Sequence, residues 1–236
     1  MRRDTQHVLL VLLGGALLRI AADDTYLRYV RPSHRWLLLA AGAVIVVLAI
    51  VGLLRDRAGT PAAHEHSDHV HGAAERCTAW LLLAPVLVIA LVAPPALGAD
   101  AVGRAGARNA VVQASDVFGP LPPGDPAELA VAEFVQRAAW DTTGSLHGRE
   151  VMLTGFAVRR GATTELARLT IACCAADARP NRVRLVGDVG DPAPDTWLQV
   201  HGVLQAGSAT PGSGHVPALT VTTATVVPTP PDPYEY

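Results

Sequence analysis

Four histidines fall within a single short stretch, His64-Glu65-His66-Ser67-Asp68-His69-Val70-His71, with Cys77 a little further on. Imidazole suits zinc, copper and nickel, and a flexible loop can fold several such groups around one ion. Spacings of one and two residues do not match a preformed structural site, so an ion held here would be weakly bound and exchangeable. The competing reading is a solvated loop whose histidines titrate near neutral pH. A second cluster lies in Thr170–Pro180, where Cys173 and Cys174 are adjacent and Asp177 follows. Soft-metal ligation, a redox thiol pair and a strained vicinal disulfide all suit it. Against these stands simple packing, with one cysteine buried as a small hydrophobe and Asp177 capping the next turn. On a regular strand the two cysteines would point to opposite faces, so only one could enter the core.

No nucleophile–base set accompanies these clusters. Ser115, Ser145, Ser208 and Ser213 sit in linker- or loop-like sequence without an associated histidine and acid. The chain has no phosphate-binding loop, no H-E-x-x-H and no G-x-G-x-x-G. His64-Glu65-His66 is not a zincin motif, because its histidines are too close to share a helix face. The expectation is a non-enzymatic protein with no catalytic residue and no organic cofactor; a transition metal such as zinc is the one cofactor the residues suggest.

The elements that must position these groups are of two kinds. The chain has 236 residues, half of them apolar, but the apolar residues concentrate before residue 98. Trp36–Leu54 and Ala79–Gly98 carry no charge and match the roughly 20 apolar residues that cross a bilayer as a helix. Val8–Ala22 is interrupted by Arg19, whose head can reach the interface if it lies near a helix end. A cleaved signal peptide competes for this first run, since Arg2 and Arg3 give it a basic start. No clear small-residue cleavage site follows, so a retained, short or tilted span is the preferred reading. The fold-class expectation is therefore a membrane protein with three amino-terminal transmembrane helices (about 8–22, 36–54 and 79–98) and a His-rich loop at 55–78. Arginines are shared equally between alternate loops, so charge alone does not orient the spans.

Residues 99–126 read as a Pro/Gly-rich linker, and 127–236 as a soluble β-rich domain with an amino-terminal helix and a Pro-rich tail. Asp125-Pro126 resembles a helix start, and Val131, Phe134, Val135 and Ala138 give one apolar face. Period-two patterns then predict strands at 150–158, 166–172, 182–186, 196–204 and 218–227. Five short strands suggest a small Greek-key barrel, OB-like, with Gly155 and Gly202 where tight barrels coil sharply. The net charge of −2 and the lack of a basic stripe argue against a nucleic-acid partner. Spans without ionisable residues make a poor transporter alone, which points to a subunit, anchor or sensor.

Four segments resemble the YcgQ-like family of bacterial permease subunits. They are Tyr26-Leu-Arg-Tyr-Val-Arg-Pro32, the His-rich loop, Thr170–Ala178 with its Cys174-Ala-Ala-Asp177 core, and Pro231-Asp-Pro-Tyr-Glu-Tyr236. The resemblance covers nearly the whole chain. It implies amino-terminal spans in the cell membrane, a carboxy-terminal soluble domain on the outer side, and a polytopic permease partner. Within the motif it weights Cys174 and Asp177 above Cys173. The expected function is an accessory subunit of a two-component permease of unknown, metal-linked substrate. The alternative is a metal- or redox-responsive membrane sensor using His64, His66, His69 and His71 or the vicinal cysteines. An exported enzyme using Cys174 and Asp177 is a third and weaker reading.

Overall fold

The computed structural model describes residues 3–58, 94–106, 108–109 and 118–236. The histidine loop His64–His71, Cys77 and residues 79–93 of the third expected span lie outside the described residues. The chain divides into two compact units, Met1–Pro95 and Ala96–Tyr236.

In the first unit, two stretches rich in Leu, Ala and Val form α1 (Arg3–Ala22), which carries Arg19 in its last turn, and α2 (Arg35–Arg57). Asp24, in the left-handed region at φ 58°, stops the first helix and opens a short 3-10 turn; Pro32 opens a second one that leads into α2. The two helices pack closely where Gly14 faces Gly42. A Cβ on Gly14 would lie 2.9 Å from the Gly42 carbonyl and 2.7 Å from Val46 Cγ2. The sequence predicts three spans. Among the described residues one helix, which includes α2, is long and apolar enough to cross a membrane by length and composition. The first expected span is helical, but its apolar part, Gln6–Ala22, is shorter. Trp36, Leu37, Val44, Val47, Leu48 and Leu54 on α2 are each more than half exposed.

The second unit is built on a mixed seven-stranded sheet: β1 (Ala127–Leu129), β2 (Glu150–Arg160), β3 (Thr163–Thr170), β4 (Arg179–Val186), β5 (Trp197–Leu204), β6 (Ala218–Val226) and β7 (Tyr234–Glu235). β2 pairs antiparallel with both β3 and β5, β3 with β4, and β5 with β6; β4 and β6 run parallel. Those pairings return to their start, so β2, β3, β4, β6 and β5 follow one another in a ring. β1 adds in parallel to the start of β2, and β7 in parallel to the end of β3.

Alternation along β2 sorts its side chains between two apolar clusters. Val151, Leu153 and Ala157 join Leu166, Val183, Leu198, Val200 and Leu219 in the larger one. Phe156 and Val158 join Ala167, Leu169, Ile171, Trp197 and Tyr234 in the other. Helix α3 (Ala99–Arg104), within the stretch expected to be linker, adds Val102 to that second cluster. Gly155 and Gly202 sit where strands cross tightly. A Cβ on Gly155 would lie 2.6 Å from the Ala167 carbonyl, and one on Gly202 would collide with the Thr220 carbonyl beside a register shift.

Helix α4 (Val131–Trp140) buries Val131, Phe134 and Val135 and packs Ala138 against the larger cluster, the face the sequence predicts. Its start differs from expectation. Asp125-Pro126 is a cis peptide, not a cap, and the next residues form β1, with Ala127 and Leu129 buried on either side of exposed Glu128. The cap comes from the far end of the chain: Glu235 Oε1 and Oε2 accept the Val131 and Ala132 N–H groups, both at 2.8 Å. The Pro-rich tail thus carries a structural strand.

Candidate functional site

The turn between β3 and β4 carries the second sequence cluster. Regular pairing ends at Thr170, and Ile171 is buried with its N–H donating to the Glu235 carbonyl. Cys173 and Cys174 therefore lie beyond the strand, and the opposite-faces argument does not govern them. Cys173 is exposed and Cys174 half-buried. Ala175–Asp177 form a 3-10 turn, and Arg179 opens β4.

Asp177 organises this turn by reaching back rather than forward. Its carboxylate accepts the N–H groups of Ala172 (2.8 Å), Cys173 (2.8 Å) and Cys174 (3.3 Å). The Asp177 N–H in turn donates to the Cys174 carbonyl at 3.0 Å and is also met by the Cys174 side chain, closing a reciprocal capping box. One donor atom each from Cys173, Cys174 and Asp177 lies within 4.8 Å of the others. Both cysteines are free thiols.

The electrostatics follow from these contacts. The hydrogen bond from the Cys173 thiol, followed by the backbone N–H groups, holds the Asp177 carboxyl well below its usual range. The same hydrogen bond, a second one with Cys174 and the nearby negative charge push the Cys173 thiol up to about 12. A carboxylate has about four acceptor directions. Three are occupied by backbone N–H groups and one is shared with the thiol.

The histidine cluster cannot be placed beside this turn, because it lies outside the described residues. An open cleft of about 580 Å³ lined by Ala99, Gly103, Val158, Arg159, Arg160 and Pro194 shares no residue with the turn. Residues 136–236 match the family model of the DUF1980 C-terminal domain. The match covers less than half of the chain and concerns its carboxy-terminal region alone. It spans β2 to β7 and the whole Cys173–Asp177 turn. No curated protein and no solved structure matches the chain.

Sequence reasoning missed several charged groups held inside the second unit. Arg182 is fully buried, with Nη1 3.8 Å from Glu165 Oε2, which also stands 3.7 Å from Arg160 Nε. Arg168 lies over the Trp197 ring at 4.9 Å and donates to the Asp232 carbonyl at 2.8 Å. Glu235 caps α4, and burial pushes its carboxyl up against the pull of the two N–H groups. In β-strand alternation a charged residue ordinarily signals the outer face, and no local pattern marks Arg182 as buried.

Proposed function

We propose that this protein, whose carboxy-terminal region matches the DUF1980 C-terminal domain, is a non-enzymatic accessory subunit of a two-component membrane permease, with its sheet-rich unit presenting a transition-metal solute to the partner. The observation that carries this reading is the turn in which Cys173, Cys174 and Asp177 bring three donor atoms within 4.8 Å. Free thiols next to a fixed carboxylate are the chemistry of borderline and soft cations.

Three further observations support it. The exposed apolar surface of α2 is better satisfied in lipid or against a partner helix than in water. The strand order β2, β3, β4, β6 and β5, with one parallel pair, supports the OB-like reading of the mixed sheet. The four segments that resemble YcgQ-like permease subunits also support it, since they fall in the order expected from that resemblance. In this reading the amino terminus is inside, the sheet-rich unit is outside the cell membrane, and the substrate is metal-linked.

The test is mass-spectrometric identification of what co-purifies with the protein from native membranes in mild detergent. A stoichiometric polytopic partner is the expected result, and a consistently solitary protein would sink the subunit reading. The second reading, a metal- or redox-responsive membrane sensor, is favoured by the adjacency of two free thiols. It predicts that substitutions at Cys173 or Cys174 abolish a metal- or oxidant-dependent response while transport persists.

A further inference from the structure

We propose that Cys173, Cys174 and Asp177 form an open, exchangeable site for a thiophilic divalent cation of the zinc and cadmium class. The inference rests on the permease-subunit reading and names the kind of ion its sheet-rich unit would carry. Several physical features converge on it.

The donor set selects against hard cations. Calcium takes six to eight oxygen ligands, and magnesium keeps a near-ideal octahedron of oxygens. The turn offers one carboxylate, most of whose acceptor directions are taken by the N–H groups of Ala172, Cys173 and Cys174. Two sulfurs and one remaining oxygen direction suit a tetrahedral, thiolate-binding ion.

The geometry is close to what such an ion needs. Zn–S bonds of about 2.3 Å place tetrahedral donors roughly 3.5–4 Å apart. The three donors already lie within 4.8 Å. The Cys173 side chain is exposed, which leaves it room to turn toward the other two donors. As each S–metal bond forms, the S–H bond breaks and the proton passes to solvent. Loss of the Cys173 proton frees the acceptor direction on Asp177 that it had occupied, and that direction already points toward the sulfur.

The same features make the site exchangeable. Structural zinc sites are closed by four protein ligands, whereas three leave a coordination position open. Here the open position faces solvent, because Ala172 and Cys173 are exposed. The framework does not need the ion: Asp177 holds the turn through its backbone hydrogen bonds, and Ile171 is pinned to β7 by the Glu235 carbonyl. An incoming ligand from a second protein can therefore take the ion without unfolding the turn.

The experiment uses the full chain in mild detergent, reduced, with His64, His66, His69 and His71 replaced by alanine and Cys77 by serine to silence other donors. Titration with Cd2+ is followed by sulfur-to-metal charge-transfer absorption. The expected result is absorption that saturates at one ion per chain, disappears in Cys173→Ser and Cys174→Ser, and survives about a hundredfold excess of Mg2+. Absorption that never develops, or that persists unchanged in both serine variants, overturns the site. Asp177→Asn should weaken Cd2+ binding roughly tenfold by replacing the anionic carboxylate donor with a neutral amide. Because that change also loosens the turn, the serine variants decide. Partner recovery from the same extracts separates the two readings: a recovered partner with no Cd2+ binding overturns the site alone, and Cd2+ binding without a partner overturns the subunit reading alone.

Discussion

At the scale of single residues, the consequential contact is the one between Cys173 and Asp177. Asp177 accepts backbone N–H groups on one side and the thiol on the other, so it stabilises the protonated sulfur. This gives a sharp expectation. In a chain with Cys77 and Cys174 replaced by serine, Asp177→Asn should let the raised Cys173 thiol fall toward its ordinary 9.0. Alkylation of Cys173 at pH 8 should then accelerate about tenfold or more, because the thiolate is the reacting form. An unchanged rate would show that the carboxylate does not govern the thiol. The residue types of this turn were readable from the sequence, since two thiols and an acid at that spacing invite a chemical reading. Their arrangement was not. Strand alternation would separate the sulfurs, but pairing stops at Thr170 and the chain curls back on Asp177 before alternation can act.

At the scale of elements, sequence pattern serves well where an element is long enough to show its period. The five strands of the ring have eight or more residues each, and their alternation marks them. β1 and β7 have three and two residues, too few for a period to emerge from the background. The start of α4 was misplaced for a related reason: its cap is Glu235, more than a hundred residues away, and local sequence holds no trace of that bond. Gly155 and Gly202, by contrast, were legible, because glycine inside a strand marks close backbone approach. Gly202→Ala should therefore destabilise the sheet-rich unit by about 1–3 kcal/mol, since the new methyl meets the fixed Thr220 carbonyl rather than a movable side chain. Urea unfolding followed by Trp197 fluorescence would measure it, and a midpoint equal to wild type would show that the crossing can widen freely.

At the scale of the molecule, the sheet-rich unit depends on contacts between distant parts of its chain. Glu235 ties the carboxyl-terminal strand to α4, and Arg168 holds the same tail through the Asp232 carbonyl. Burial raises the Glu235 carboxyl above its ordinary 4.5, so its contribution to stability is fully present below that value and is lost as pH rises through the folded-state value. The stability of wild type relative to Glu235→Gln should accordingly fall as pH rises above 4.5, read as the difference in urea midpoints; a difference that grows as pH rises would reverse the sign. The ring of strands has one more consequence. It closes between β4 and β6 through only three residue pairs, Arg184–Val186 with Ala218–Thr220, so Val221–Val226 of β6 have ladder pairing on the β5 side alone. That seam is a short open edge of the kind another strand can extend. Recognition between this unit and a neighbour can therefore be written along a backbone edge as well as in side chains and loops such as the Cys173–Asp177 turn.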